Sequence, residues 1–214
     1  MSEVPFDCQK ALDYVDEIYK ETDRPRMQDY AEATGLESFE PVIEDEISRL
    51  FKLLLNLTKP KKILEIGMSI GFSTTVLALA AERFGGTVTT IEIDESIVET
   101  ARRGFEREGV SDIIEIVLGD AREIISKMDS ETFDVVFQDS SKRLYPVMLE
   151  DCIRVLKKGG LFLIDDTLFP VIRHPDRWNE SDRAIDKFNR NLLKLNTIST
   201  ILPIGEGCTI AVKL

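Results

Sequence analysis

Carboxylates and glycines follow several short apolar runs of this 214-residue chain. The runs are apolar on both faces, which is typical of buried parallel strands. Ligands of an open α/β sheet bind outside the carboxyl ends of its strands. Five successive runs deliver there residues 65–73, Glu92 with Asp94, residues 119–121, Asp139 with Lys142, and Asp165 with Asp166. We therefore expect one site along the carboxyl edge of the sheet.

The first of these loops, residues 67–71, begins and ends with glycine. Glycine lets backbone amides approach a ligand closely, and the helix that follows points its positive end at an anion. A tight turn from strand to helix would require glycine as well, so both interpretations stay open. Glu92 ends the second run, where a carboxylate can accept hydrogen bonds from two ribose hydroxyls. A solvated strand end is the alternative there.

The third loop, Gly119-Asp120-Ala121, could meet the edge of an adenine. Asp120 would be the acceptor, and the backbone N–H of Ala121 would be the donor. Asp120 is explained equally well as the N-cap of the next helix.

Three carboxylates, Asp139, Asp165 and Asp166, follow the fourth and fifth runs. Carboxylates that converge repel one another unless a cation lies among them. Ligands that are all oxygen suit Mg²⁺, Mn²⁺ or Ca²⁺ rather than zinc. The alternative is that one or two of these aspartates cap helices or form salt bridges.

Two other chemistries match part of the pattern. Residues 67–71 fit the G-x-S-x-G elbow of hydrolases, and Ser69, Asp165 and His174 follow the chain order of that triad. However, the elbow falls on the first strand and His174 comes directly after the fifth, so we expect His174 in a surface loop. A nicotinamide dehydrogenase would need G-x-G-x-x-G, which the chain lacks.

The elements that must position these residues fall into two parts. Residues 1–57 show helical stripes, one over residues 11–19 and one over residues 43–54, separated by Pro25 and a polar stretch. They predict an N-terminal helical segment that covers the site, joins a dimer interface, or does both. Residues 58–214 predict a cofactor-binding domain in which strands alternate with amphipathic helices.

The second part predicts an α/β fold with a doubly wound, mostly parallel sheet. We expect strands over 62–67, 87–93, 113–119, 133–139 and 161–165, then an antiparallel hairpin from 197–204 and 208–214. Pro146 opens a helix with an inward stripe that ends at Leu156, and a last helix starts at about Ser181.

Charge and composition narrow the class of partner. The net charge is −12, which disfavours nucleic acids and anionic membrane surfaces. We find no secretory signal at the N-terminus and no apolar run near the roughly 18 residues that a membrane span needs. Cys8, Cys152 and Cys208 form no C-x-x-C pair and suggest reduced thiols. Together these features predict a cytoplasmic protein.

Four ordered motifs resemble the cation-dependent O-methyltransferases of the catechol and caffeoyl-CoA type, over about residues 41–214. Residues 63–73 are similar to the family's cofactor loop, 137–145 to its F-x-D-x-x-K-x-x-Y signature, 159–166 to its G-G-L…D-N segment, and 202–207 to its L-P-x-x-D-G turn. The resemblance implies a seven-stranded sheet with the last strand antiparallel, and S-adenosylmethionine as cofactor. It also implies that Asp139, Asp165 and Asp166 hold a divalent cation such as Mg²⁺, and that Lys142 accepts a proton.

The resemblance and the strand ends together give one set of cofactor contacts. These residues are Glu65, Gly67, Met68, Ser69, Ser73, Glu92, Ile93, Gly119, Asp120, Ala121, Asp139 and Tyr145.

Departures from the family pattern surround the predicted acceptor pocket. Asp166 stands where the family usually has Asn, Gln138 where it often has Ile, and Glu206 where its last turn has Asp. We predict methyl transfer to a hydroxyl of a small, catechol-like acceptor by a homodimer. A metal-independent methyltransferase and a cofactor-binding module without turnover are the alternatives.

Overall fold

The computed structural model describes residues 7–214, without the side chains of Cys8 and Gln9. The thiol predicted at Cys8 lies outside that description, whereas Cys152 and Cys208 are free and buried. The strands are β1 (Lys62–Ile66), β2 (Thr87–Glu92), β3 (Ile114–Leu118), β4 (Phe133–Gln138), β5 (Leu156–Ile164), β6 (Thr197–Leu202) and β7 (Cys208–Lys213). The helices are α1 (Cys8–Tyr19), α2 (Met27–Glu32), α3 (Asp45–Thr58), α4 (Phe72–Glu82), α5 (Glu95–Glu108), α6 (Ala121–Lys127), α7 (Tyr145–Val155), α8 (Phe169–Ile172) and α9 (Glu180–Leu192).

These strands form one seven-stranded sheet in the order β3-β2-β1-β4-β5-β7-β6. Strands β1 to β5 pair in parallel, and β7 runs antiparallel to both of its neighbours. The predicted doubly wound sheet with a closing antiparallel hairpin is confirmed. Four strand-end residues lie in register: Ile66, Ile91, Gln138 and Ile164. The residues that follow them, at 67, 92, 139 and 165, therefore emerge at one edge.

Side chains along each strand alternate between two helical layers. Val135 and Phe137 of β4 pack into a core with α3, α4 and α5, while Val136 packs into a second core with α6, α7 and α9. The rings of Phe51 on α3 and Phe137 lie edge to face, with centroids 4.9 Å apart. Burial of one such side chain stabilises the fold by about 1.5–3 kcal/mol. This layered packing fixes the strand ends that carry the site.

The N-terminal segment contains one helix more than the sequence pattern indicated. Helices α1 and α3 match the two predicted stripes, but the stretch after Pro25 that we expected to be only polar contains α2. Six residues are too few to show a helical period, and α2 is held by its one buried ring, Tyr30. Ile47, Phe51 and Leu55 of α3 share a core with β1 and β4. The division of the chain at residue 57 stays a prediction.

Strand β5 begins earlier than predicted. Leu156, expected on the inward face of α7, is the first residue of β5 and pairs with Phe133. The register between β4 and β5 then shifts before Leu161, where Gly159 has a positive φ of 75° and the chain bulges. Gly159 and Gly160 thus lie inside a strand that we predicted to begin only at residue 161.

Local capping explains several element ends. The Asp94 side chain accepts a hydrogen bond from the Ser96 backbone at 2.9 Å and starts α5, and Gly109, with φ 75°, ends it. Helix α9 begins at a capping box between Asn179 and Asp182. Within the part of the chain that is described, no helix is both long and apolar enough to cross a bilayer.

Candidate active site

The glycine loop after β1 passes directly beside the end of β4. Gly67 has a φ of 95°, and a Cβ atom at this position would collide with the carbonyl oxygen of Asp139. Gly71, with φ 88°, precedes α4. Between them Ser69 also has a positive φ, 48°, and its hydroxyl donates to the carbonyl of Glu40 at 3.2 Å. Gly67 thus allows the backbone of the loop to approach the end of β4 closely. The Ser69 bond to Glu40 shows that the segment before α3 lies against the same loop.

Glu65 lies beneath this loop and is fully buried. Its carboxylate accepts a hydrogen bond from the Ser73 hydroxyl at 2.6 Å and another from the Thr74 hydroxyl. Burial, only partly offset by these hydrogen bonds, raises the pKa of Glu65 to about 7. The structure therefore places Glu65 and Ser73 in a buried pair that fixes the start of α4.

Glu92 binds backbone amides at the end of β2. One carboxylate oxygen accepts from Met68 at 3.0 Å and Ser69 at 3.1 Å, and the other accepts from Ile93 at 2.7 Å and Asp94 at 2.9 Å. Glu92 is therefore not a merely solvated strand end. It connects the glycine loop of β1 to the end of β2, and hydroxyls of a bound ribose would share its oxygens.

The loop after β3 confirms the capping interpretation of Asp120. Its carboxylate accepts from the Arg122 backbone at 2.9 Å and from the Arg122 guanidinium at 2.6 Å, which lowers the pKa of Asp120. Ala121 is the first residue of α6, and Gly119 has a φ of 144°. Beside this loop the Ile93 side chain is 72% exposed, an apolar surface that a flat ring could cover.

Lys142 lies between two of the three aspartates. Its Nζ is 2.8 Å from Oδ1 of Asp139 and 2.5 Å from Oδ2 of Asp166, and it faces the rings of Tyr145 and Phe169. Burial alone would lower the pKa of Lys142, but the surrounding acidic groups raise it above its ordinary value. Lys142 is therefore an ammonium ion here, and it must lose that proton before it can act as a base.

Asp165 is the buried member of the acidic group, with 3% of its surface exposed. Within residues 7–214, its Oδ1 has no hydrogen-bond partner. Burial and then the charges of Asp139, Asp166 and Glu44 raise the pKa of Asp165 well above its ordinary value. A buried carboxylate needs either a positive partner or a proton to offset the cost of its burial.

Tyr145 supports the site from within the fold. It is fully buried against Phe188, and its hydroxyl donates to the backbone carbonyls of Gln138 at 3.4 Å and Asp165 at 3.2 Å. Tyr145 thus joins the ends of β4 and β5. Tyr145 would act on the cofactor by positioning these two strand ends. Its predicted contact with the cofactor stays a prediction.

Sequence reasoning missed Glu44, which precedes α3. Its carboxylate lies against the turn between β6 and β7, because a Cβ atom on Gly205 would be 2.6 Å from Oε2 of Glu44. Burial, with contributions from Glu46, Asp166 and Glu206, raises the pKa of Glu44 to about 7. Only the tertiary fold brings residues 44 and 205 together, so no local pattern could have indicated this contact.

Tyr30 is a second contributor that the sequence did not reveal. Its hydroxyl donates to the Gly71 carbonyl at 3.2 Å and pairs with the Thr75 hydroxyl at 2.9 Å. The Arg107 guanidinium lies over its ring, and a Cβ atom on Gly104 would collide with the hydroxyl. Helix α2 therefore holds the C-terminal end of the glycine loop.

The hydrolase alternative finds no support in this geometry. His174 lies in an exposed loop, with Nδ1 3.3 Å from Asp176, and Asp165 is buried among the other carboxylates. The prediction that His174 is a surface residue is confirmed.

A divalent cation would need the three aspartates to turn toward one point. Their hard oxygen donors and the unpartnered Oδ1 of Asp165 fit such an ion chemically. In the arrangement seen over residues 7–214, however, no three Asp, Glu, His or Cys side chains are placed to hold a metal. The Lys142 ammonium takes the position between Asp139 and Asp166 instead.

The same fold occurs in a solved O-methyltransferase from Bacillus cereus in complex with SAH. The two superpose with a TM-score of 0.80 at 23% identity, over 94% of this chain and 97% of that one. The two proteins therefore share one fold, a doubly wound, mostly parallel sheet with an antiparallel hairpin at its end.

The chain belongs to the O-methyltransferase family, whose model matches residues 17–214. Catechol O-methyltransferase of Mycobacterium tuberculosis is 34% identical over 132 residues, which cover 62% of this chain and 58% of that protein. Caffeoyl-CoA O-methyltransferase of Stellaria longipes is 27% identical over 173 residues, which cover 75% of this chain and 71% of that protein. The predicted family and enzyme class, an S-adenosylmethionine-dependent O-methyltransferase, are confirmed.

Proposed function

We propose that this enzyme transfers the methyl group of S-adenosylmethionine to a hydroxyl of a small, catechol-like acceptor, with a divalent cation at the acceptor. The observation that carries the proposal is the group of Asp139, Asp165 and Asp166 beside the glycine loop, with Lys142 between Asp139 and Asp166. A homodimer and a cytoplasmic location remain predictions from the sequence.

The cofactor would occupy the groove over the ends of β1, β2 and β3. The loop from Gly67 to Gly71 presents its backbone, Glu92 offers carboxylate oxygens to ribose hydroxyls, and Ile93 offers an apolar face to adenine. The backbone N–H of Ala121 supplies a donor for the adenine edge. This arrangement explains why the end of β2 combines an acidic residue with an exposed apolar one.

Asp139, Asp165 and Asp166 would hold the cation. When bound, it lowers the pKa of a hydroxyl that it coordinates and orients vicinal oxygens of the acceptor. Asp139 and Asp166 now hold the Lys142 ammonium, and their oxygens would have to turn toward the cation. Without these charges beside it, Lys142 would release its own proton to solvent more readily and could then accept the hydroxyl proton.

Methyl transfer itself requires little covalent chemistry from the protein. The carbon–sulfur bond of the sulfonium breaks as the acceptor oxygen forms the new carbon–oxygen bond, and the hydroxyl proton passes to Nζ of Lys142. The protein's contribution is to align the two reactants, which can supply about 7–11 kcal/mol of the barrier.

The second candidate is a metal-independent methyltransferase. It is favoured by the Lys142 ammonium, which already lies between two expected metal ligands. A fixed positive charge at this place could stabilise the developing phenolate without a metal.

Calorimetric titration of SAH and Mg²⁺ into wild type, Glu92→Ala and Asp166→Asn tests the proposal. Glu92→Ala should weaken SAH binding, because charged hydrogen bonds contribute about 1.5–3 kcal/mol each. Asp166→Asn should bind Mg²⁺ more weakly, since carboxylate count tunes affinity for hard cations. SAH binding unchanged by Glu92→Ala would remove Glu92 from the site, and no heat with Mg²⁺ in wild type would favour the metal-independent candidate.

A further inference from the structure

The acidic group at the carboxyl edge has more carboxyl groups than positive partners over residues 7–214. Its six members are Glu44, Glu46, Asp139, Asp165, Asp166 and Glu206. Glu44 interacts electrostatically with Glu46, Asp166 and Glu206, and Asp165 interacts with Asp139, Asp166 and Glu44. Lys142 is the ammonium that pairs with Asp139 and Asp166 in this group.

Glu44 is the member of this group that neither the fold nor the proposed cation accounts for. It stands at the N-cap position of α3, yet its side chain makes no capping hydrogen bond. Over residues 7–214 it forms no ion pair, although it is half-buried and its carboxylate lies against Gly205. A carboxylate that is partly desolvated without a positive partner destabilises the free protein, so a ligand is the natural source of compensation.

The turn that carries Glu206 is held firmly beside Asp166. Backbone amides of Thr167 and Leu168 donate to the carbonyls of Gly207 at 2.8 Å and Glu206 at 2.9 Å. The Thr167 hydroxyl adds a bond to Gly207 at 3.0 Å. The loop after β5 and the β6–β7 turn therefore form one rigid rim, and Glu44 faces that rim from α3.

A second observation also indicates a missing positive ligand. Oδ1 of Asp165 is buried, has no hydrogen-bond partner among residues 7–214, and interacts electrostatically with Glu44, Asp139 and Asp166. Asp165, one of the proposed cation ligands, therefore belongs to the same acidic group as Glu44.

We propose that Glu44, with Glu206, recognises a positively charged group on the methyl acceptor, so that ammonium-bearing acceptors are preferred over neutral and anionic ones. This inference rests on the proposed methyl transfer at the same site. A neutral acceptor leaves Glu44 uncompensated. An anionic acceptor, including any coenzyme A thioester, is repelled by the Glu44 carboxylate. Such repulsion between like charges weakens acceptor binding more than the loss of a favourable contact does.

Three 3,4-dihydroxyphenyl acceptors that differ in one side chain test this proposal: an aminoethyl, a methyl and a carboxymethyl compound. We expect kcat/KM to fall in that order. Glu44→Gln should lower kcat/KM for the aminoethyl compound about ten- to a hundredfold, the value of one charged hydrogen bond, chiefly through KM. It should change kcat/KM for the methyl compound much less than for the aminoethyl compound. Glu37→Gln, on the exposed segment before α3, is the matched control and should change neither.

Two further measurements keep the proposal separate from the proposed function. Calorimetric binding of the three compounds to the SAH-loaded enzyme with Mg²⁺ reports the charge preference without turnover. Glu206→Gln, in an exposed turn, repeats the test if Glu44→Gln does not fold. Equal binding of all three compounds, tighter binding of the carboxymethyl compound, or no binding would overturn the inference. Charge-selective binding without methyl transfer would contradict only the proposed function.

Discussion

Lys142 is the residue on which the proposed chemistry depends most. In this structure it is an ammonium between Asp139 and Asp166. A base role requires that its proton leave only when other positive charges fill the site. The raised pKa of Lys142 and its proposed role are thus compatible, because, besides Tyr145, the groups that raise this pKa, Asp139 and Asp166, are also proposed cation ligands.

Lys142→Ala should lower turnover about 10²- to 10⁴-fold, the usual contribution of a general base. SAH affinity should change little, because the Lys142 side chain pairs with Asp139 and Asp166, which are proposed cation ligands. Steady-state kinetics at neutral pH on a methylated acceptor measure the effect. Lys142→Arg is the control, since arginine keeps the charge but does not deprotonate. A base role predicts low activity in both variants, whereas a purely electrostatic role predicts that Lys142→Arg restores activity.

Glu65 should make the stability of the protein depend on pH. Its pKa rises from the ordinary 4.5 to about 7 on folding because it is buried. Between these values the unfolded chain releases the proton and the folded chain keeps it, so stability falls as pH rises from 4.5 and levels off above about 7. The loss is on the order of 3 kcal/mol.

Glu65→Gln should flatten that dependence, because the amide has no proton to lose. Urea unfolding at pH 5, 6, 7 and 8 measures it, and Glu115→Gln, an exposed position on β3, should keep the slope of the wild type. A Glu65→Gln profile as steep as that of the wild type would show that Glu65 is not the titrating group.

At the scale of elements, α2 stabilises the glycine loop through one hydroxyl group. Tyr30→Phe removes the bonds to Gly71 and Thr75, and it should lower the free energy of unfolding by about 1–2 kcal/mol. SAH affinity should fall as well, because the end of the glycine loop loses its anchor. Denaturant unfolding and calorimetry measure the two effects. Tyr14→Phe on α1, where the ring is 64% exposed, should change neither. Unchanged SAH affinity in Tyr30→Phe would separate α2 from the cofactor site.

The sequence allowed the elements with strong local signals to be predicted. Apolar runs predicted the buried parallel strands, and Asp94 and Gly109 predicted the ends of α5. Both signals are local, because they depend on residues that are neighbours in the chain. Helix α2 was not predicted because it is too short to show a helical period. The start of β5 was not predicted because the strand bulges at Gly159, which interrupts its pattern. Glu44 and Tyr30 reach the site through contacts with residues about 160 and 40 positions away in sequence, which no local pattern encodes.

At the scale of the whole molecule, architecture and charge serve the same site. The register of β1, β2, β4 and β5 brings glycine and carboxylates to one edge, and the two helical layers keep that edge rigid. The chain has a net charge of −12, and carboxylates outnumber positive groups at that edge. Such a field favours a sulfonium donor, a metal ion and a cationic acceptor, and it disfavours polyanions.

The most direct test of the account is methyl transfer from labelled S-adenosylmethionine to a 3,4-dihydroxyphenyl acceptor. The product would be located by mass spectrometry and NMR, with Mg²⁺ present and, separately, after exhaustive metal removal in excess chelator. We predict an O-methylated product with Mg²⁺ and little product with chelator. Full activity in chelator would contradict the cation-dependent mechanism and support the metal-independent one. No methylated oxygen under either condition, with SAH bound, would contradict the proposed acceptor chemistry.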